Sequence, residues 1–308
     1  MIAPQSPAPM KVVILCGGKG TRLGEVTGNQ LPKPMVAVGE QPIVWHIMRH
    51  YARFGHREFI LAAGHLSWAI KGYFLDFHAR LSDVTVETAR PGAVTFHDDT
   101  PADDWSVTVA ETGAETMTAG RVRRIARYLG GDDSFMLTYG DGLADIDLDA
   151  LAAFHRSHGK MVTMTGVIPP GRFGELVHDG DRVIDWAEKP AASDRYINGG
   201  FMVMRRAFIE RFLADNCDDV MLERAPLAEA TAAGELMLYR HHGFWQCMDT
   251  MRDWELLNDL WAGAVRRGPS ARRKSRAHDE DVRRFLCWAA RAGHRTHRVQ
   301  GQLAASLA

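Results

Sequence analysis

The chain has 308 residues, 46% of them hydrophobic, which suffices for one large α/β domain or two small ones and excludes global disorder. Its 37 Lys+Arg and 38 Asp+Glu leave a formal net charge of −1, so the charge balance gives no basis for a nucleic-acid partner. The cysteines Cys16, Cys217, Cys247 and Cys287 lack Cys-x-x-Cys spacing, which argues against a zinc site or disulfide framework and for a reducing cytoplasm. No apolar run approaches the ~18 residues of a membrane span.

Residues 1–10 are Pro- and Ala-rich, without the apolar stretch of a secretory signal, and read as a flexible extension. Residues 12–15, Val-Val-Ile-Leu, read as a buried strand. Three glycines follow, Gly17, Gly18 and Gly20. Such a turn lets a ligand approach the backbone and aims N–H groups at phosphate oxygens. Two common glycine loops do not fit. Lys19 is followed by Gly20 rather than Ser or Thr, and Leu23 stands where a dinucleotide fingerprint needs a small residue. Arg22 adds a planar fork of donors to this phosphate loop. Lys33 follows between Pro32 and Pro34, in a segment the prolines stiffen.

Helical spacing of Ile43, Val44, Ile47, Met48, Tyr51 and Ala52 predicts a helix that Gly55 ends. Residues 58–63 read as a strand, and 67–77 as a helix with Ser67 as N-cap. Strand-helix alternation predicts right-handed βαβ units on a parallel sheet. Residues 84–87 and 106–110 alternate as strands, and the acidic stretch 98–104 reads as a solvated loop. Within 116–130 a helix carries the stripe Val122, Ile125, Ala126 and Leu129, with Arg121 at its first turn in reach of a ligand.

Residues 135–139 are another buried strand and end in Gly140-Asp141-Gly142. Ligands of open α/β sheets bind beyond the carboxyl ends of strands, so Asp141 is a candidate metal ligand. A helix over 148–158 and a strand over 161–168 follow. A hairpin over 175–187 then delivers Glu188-Lys189-Pro190. Asn198-Gly199-Gly200 enters a buried strand. A helix over 222–233, a strand over 235–239 and a helix over 251–266 complete the series. Asp249 just before that last helix reads either as an N-cap or as a second metal carboxylate. From Arg266 the composition turns basic, giving three segments: the extension 1–10, a domain over 11–265 and a tail over 266–308 that holds at most one short helix. The tail lacks the aromatic residues that interleave nucleic-acid-binding runs.

The glycine loop, Lys33, Arg121, two aspartates and Lys189 form a coherent set for nucleotidyl transfer. Both reactants of that reaction are anionic, so charge neutralisation and in-line positioning dominate. The glycine loop followed by Pro32-Lys33-Pro34-Met35 resembles the signature of sugar-1-phosphate nucleotidyltransferases. Thr138-Tyr-Gly-Asp-Gly142, Glu188-Lys-Pro190, Ile197-Asn-Gly-Gly-Phe201 and the run 243–250 extend the resemblance to glucose-1-phosphate cytidylyltransferases over residues 11–262. The resemblance implies a Rossmann-like α/β fold, a mixed but mostly parallel sheet with flanking helices, known as the nucleotide-diphospho-sugar transferase fold. It implies CTP and glucose 1-phosphate as substrates, CDP-glucose for polysaccharide biosynthesis as product, and a homo-oligomer. It further implies Mg²⁺ on Asp141 and Asp249. Nucleotide contacts would come from Leu15, Cys16, Gly17, Gly18, Lys19, Gly20, Thr21, Arg22, Lys33, Thr116, Arg121 and Gly140, with Arg22 and Lys33 catalytic. Sugar-phosphate contacts would come from Glu188, Lys189, Asn198 and Gly199. Periodicity does not reveal the base, so UTP, dTTP or GTP, or a catalytically silent sensor, stay open at this level.

Overall fold

The computed structural model describes residues 8–24, 28, 30–90, 92–97, 103–169, 175–179, 182–187, 196–213 and 216–267. Seven strands form the central sheet: β1 (Val12–Cys16), β2 (Glu58–Ala63), β3 (Ser106–Glu111), β4 (Ser134–Tyr139), β5 (Val162–Val167), β6 (Ile197–Arg205) and β7 (Leu236–His241). Their spatial order is β7-β5-β6-β4-β1-β2-β3. All pairs are parallel except those of β6, which runs antiparallel to both β4 and β5. The sheet is therefore mixed and mostly parallel, as expected.

β1 is fully covered on both faces, and that explains its unbroken apolar run. Successive side chains of a strand point to opposite faces. Val12, Ile14 and Cys16 enter one core, with α1 (Ile43–Arg53), α2 (Ser67–Leu75), α4 (Leu148–His158) and α6 (Met251–Arg267) packed on it. Val13 and Leu15 enter the other, under α3 (Thr118–Ile125) and α5 (Ala225–Ala232). The stripe residues Ile43, Val44, Ile47, Met48 and Tyr51 of α1 are all buried, and so are His46 and His50 beside them.

Three local expectations are corrected. Ser67 is not the cap of α2: Leu66, at φ 54°, occupies that position, and the Ser67 hydroxyl donates to Glu111 instead. The strand read over 84–87 is present as Val84–Val86, paired with Val94–Phe96 in a separate hairpin. The acidic stretch is not wholly solvated, since Asp103 accepts from Trp45 Nε1 at 3.1 Å and pairs with Arg49. Helix α5 begins at Ala225 rather than 222, with Pro226 in its first turn. The predicted hairpin is present as Glu175–Asp179 against Arg182–Ala187. Residues 188–190, on which Glu188 and Lys189 lie, and the tail beyond Arg267 fall outside the described residues.

Candidate active site

β1 and β4 lie side by side and parallel, with Leu15 opposite Tyr139. Their carboxyl ends therefore release the glycine loop and Gly140-Asp141 at one edge, where they wall a cleft of about 300 Å³. Leu15, Cys16, Gly17, Gly18, Gly20, Thr21, Arg22, Lys33, Arg121, Gly140, Asp141 and Asp249 line it. Of the expected nucleotide contacts, Lys19 is engaged with Glu115 at 2.8 Å, and Thr116 is buried and is not among the lining residues.

The charges converge at Lys33. Its ammonium is 2.6 Å from Asp141 Oδ2 and 2.5 Å from Asp249 Oδ1, and Arg22 reaches Asp249 Oδ2 at 3.3 Å. Burial works against the Lys33 charge, but the two carboxylates outweigh it and the net direction of its pKa is up. Lys33 is therefore a fixed cation at neutral pH. Gly140 is required here because a Cβ would meet Pro34 at 2.8 Å and the Leu15 carbonyl at 3.0 Å.

Asp249 is not the cap of α6. Thr250 and Asp253 share that task. Asp253 Oδ2 accepts from Thr250 N at 2.9 Å and from Asp249 N at 3.1 Å, and Thr250 Oγ1 accepts from Asp253 N at 3.3 Å. This reciprocal cap leaves the Asp249 carboxylate to Lys33 and Arg22. Two carboxylates drawn to one cation form a hard, oxygen-only donor pair. That set suits magnesium, which takes one or two carboxylates and completes its shell with phosphate oxygens and water. No cluster of three or more metal-ligating side chains occurs among the described residues.

Arg121 lines the cleft but spends its guanidinium on the chain itself. Nη2 donates to Gly17 O at 2.9 Å, and Nη1 to Gly113 O at 2.9 Å, Thr112 Oγ1 at 2.6 Å and Ala63 O at 3.3 Å. It ties the glycine loop to the ends of β2 and β3. Gly17 and Gly64 are glycine because a Cβ would fall 2.0 Å and 2.2 Å from Nη1.

Because β6 is antiparallel, its first residues lie at the same edge as the last residues of β4. Asn198 Nδ2 donates to Tyr139 Oη at 3.2 Å, and Trp245 Nε1 donates to Gly199 O at 2.8 Å. Tyr139, Met117 and Thr118 also line the cleft. Sequence reading absorbed them into a strand and a helix start. The position of Tyr139 directly before Gly140-Asp141 was the available signal.

A glycine loop, a cationic lysine and two carboxylates at the carboxyl edge of a mixed α/β sheet define a nucleotide-binding transferase of the phosphate-handling class. The nucleotidyl transferase family model matches residues 11–245. Glucose-1-phosphate cytidylyltransferases of Salmonella typhi and Salmonella typhimurium are each 44% identical over 252 residues, covering 82% of this chain and 96% of theirs. A UTP-bound UGPase structure from Acinetobacter baumannii shares the fold, with a TM-score of 0.60 at 16% identity over 85% of this chain and 95% of that one. The chain belongs to the nucleotidyl transferase family and, within it, to the glucose-1-phosphate cytidylyltransferases. No helix among the described residues is long and apolar enough to cross a membrane.

Proposed function

We propose that this chain transfers CMP from CTP to α-D-glucose 1-phosphate, giving CDP-glucose and pyrophosphate, as a homo-oligomer in the cytoplasm, with residues 11–265 as the catalytic unit. The observation that carries the mechanism is the meeting of Lys33 with Asp141 and Asp249 beside the glycine loop. Kinship at 44% identity supports the choice of base and sugar.

The α-phosphorus of the triphosphate is attacked in line by a phosphate oxygen of the sugar phosphate. The new P–O bond forms as the bond to pyrophosphate breaks. The nucleophile is already ionised at neutral pH, so no strong general base is required. The backbone of the glycine loop holds the triphosphate. Lys33 and Arg22 neutralise charge that builds on the α-phosphate and the leaving pyrophosphate. Asp141 and Asp249 would hold a magnesium ion, which when bound neutralises and orients the phosphate oxygens. Lys189, Glu188, Asn198 and Gly199 receive the sugar phosphate.

Pyrophosphate release with glucose 1-phosphate and Mg²⁺, compared across CTP, UTP, dTTP and GTP, tests the proposal. A strong preference for CTP, abolished by EDTA, is expected. Preference for another triphosphate would overturn the cytidylyl assignment, and release of none would overturn the activity.

A further inference from the structure

A third carboxylate, Glu223, is bonded to two residues that line the cleft, and the mechanism above does not use it. Glu223 precedes α5 on a segment that braces the start of α3. Asp218 O accepts from Met117 N, and Val220 O accepts from Ala119 N. Glu223 Oε2 accepts from Thr118 Oγ1 at 2.7 Å, and Oε1 accepts from Tyr139 Oη at 2.5 Å. Both hydroxyls belong to residues that line the cleft. With both oxygens engaged by hydroxyl donors, Glu223 is not arranged as a metal ligand.

The hydrogen bonds have a direction. An ionised carboxylate only accepts, so Tyr139 must donate to Glu223. Tyr139 Oη is then left as an acceptor, which Asn198 Nδ2 meets at 3.2 Å. That fixes the Asn198 amide, whose Oδ1 accepts from Gly200 N at 2.8 Å. The nitrogen of Asn198 carries two hydrogens. Tyr139 takes one, and the other has no partner among the described residues. Gly200, at φ 85°, is held under the Tyr139 ring, where a Cβ would lie 2.7 Å from Cδ2.

We infer that Glu223 is a positioning residue for the sugar 1-phosphate: through Tyr139 it locks the Asn198 amide with its donor side toward the acceptor substrate. The inference rests on the proposed reading only for the identity of that substrate. Glu223→Gln keeps size and shape but brings an NH₂ group into the relay. It can donate to Tyr139, whose proton then faces the Asn198 NH₂, so the Asn198–Tyr139 hydrogen bond is lost and the amide is displaced.

The test is steady-state kinetics of wild-type, E223Q, E223D, N198A and E223Q/N198A chains, with both substrates varied. E223Q is expected to raise KM for glucose 1-phosphate about tenfold while KM for CTP stays within twofold. E223D, which keeps the acceptor-only group, is expected to stay within threefold of wild type. In the N198A background E223Q is expected to add nothing, as required of residues acting through one another. Equal rises in both KM values, full additivity with N198A, or an E223Q chain that does not fold would each overturn the inference. A wild-type chain that turns over no sugar 1-phosphate refutes the function itself. That failure appears in the control, whereas an active wild type with an unaltered E223Q refutes the role of Glu223 alone.

Discussion

Lys33 Nζ lies 2.5 Å from Asp249 Oδ1 although 216 positions separate them. The lysine comes from the stiff segment after the glycine loop, and the aspartate from the turn before α6, so the fold alone makes them neighbours. Lys33→Ala removes the cation that faces both aspartates. It is expected to lower kcat by about 10²–10³, the usual scale for one electrostatic stabiliser. Single-turnover and steady-state rates check this. A change confined to KM would move Lys33 to ordinary substrate binding.

Asp253 takes no direct part in the cleft but holds the turn that presents Asp249. Its Oδ2 accepts from Asp249 N and Thr250 N, and its Oδ1 accepts from Gln246 Nε2 at 3.0 Å. Asp253→Ala is expected to cost about 1 kcal/mol for the lost cap. It should also raise the Mg²⁺ concentration needed for half-maximal rate several-fold. Urea unfolding and a magnesium titration of activity read the two effects separately.

Gly64 is a test of the Arg121 clamp at a residue outside the glycine loop. In Gly64→Ala the new methyl would stand 2.2 Å from Arg121 Nη1 and 2.6 Å from Gly113 O. The guanidinium must move, and carbonyls it satisfies lose a partner. A loss of about 2 kcal/mol is expected, together with a higher KM for the nucleotide as the glycine loop loosens. Chemical denaturation and CTP-dependent kinetics measure both.

Three buried histidines give the fold a dependence on acid. Burial holds His46, His50 and His155 down at about 4, against about 6.5 in the unfolded chain. Between those values the unfolded state binds more protons than the folded one, so stability falls as pH drops from about 6.5 to about 4. The melting temperature is expected to fall by several degrees or more across that window, and less in His155→Gln. A melting curve flat from pH 6.5 to 4.5 would contradict the assignment.

Much of this was legible in the residues. β2 and α4 begin and end where the apolar pattern and the flanking residues put them, because local pattern and global packing agree there. The glycine loop, Lys33 and Asp141 were legible because chemistry, not packing, explains their spacing. Asp249 was ambiguous in sequence: an aspartate before a helix suits a cap, and only the structure shows that Asp253 and Thr250 do that work. Arg121 reads in sequence as within reach of a ligand, since sequence does not reveal which backbone carbonyls curl around a guanidinium. Glu223 carried no signal, because its partners Thr118 and Tyr139 lie 105 and 84 positions away.

The reversed direction of β6 has a wider consequence. On the proposed function, the nucleotide is handled by the parallel wing β4-β1-β2-β3, whose strand ends carry the glycine loop and the carbonyls that Arg121 binds. On the same proposal, the acceptor is met at the other wing, which begins with β6. Only β4 belongs to both, and its end carries Tyr139, Gly140 and Asp141. Under that proposal, donor and acceptor preferences are written in separate parts of the chain and joined at one seam. Such a layout lets a lineage change its sugar by altering β6 and its approach while the machinery for the triphosphate stays untouched.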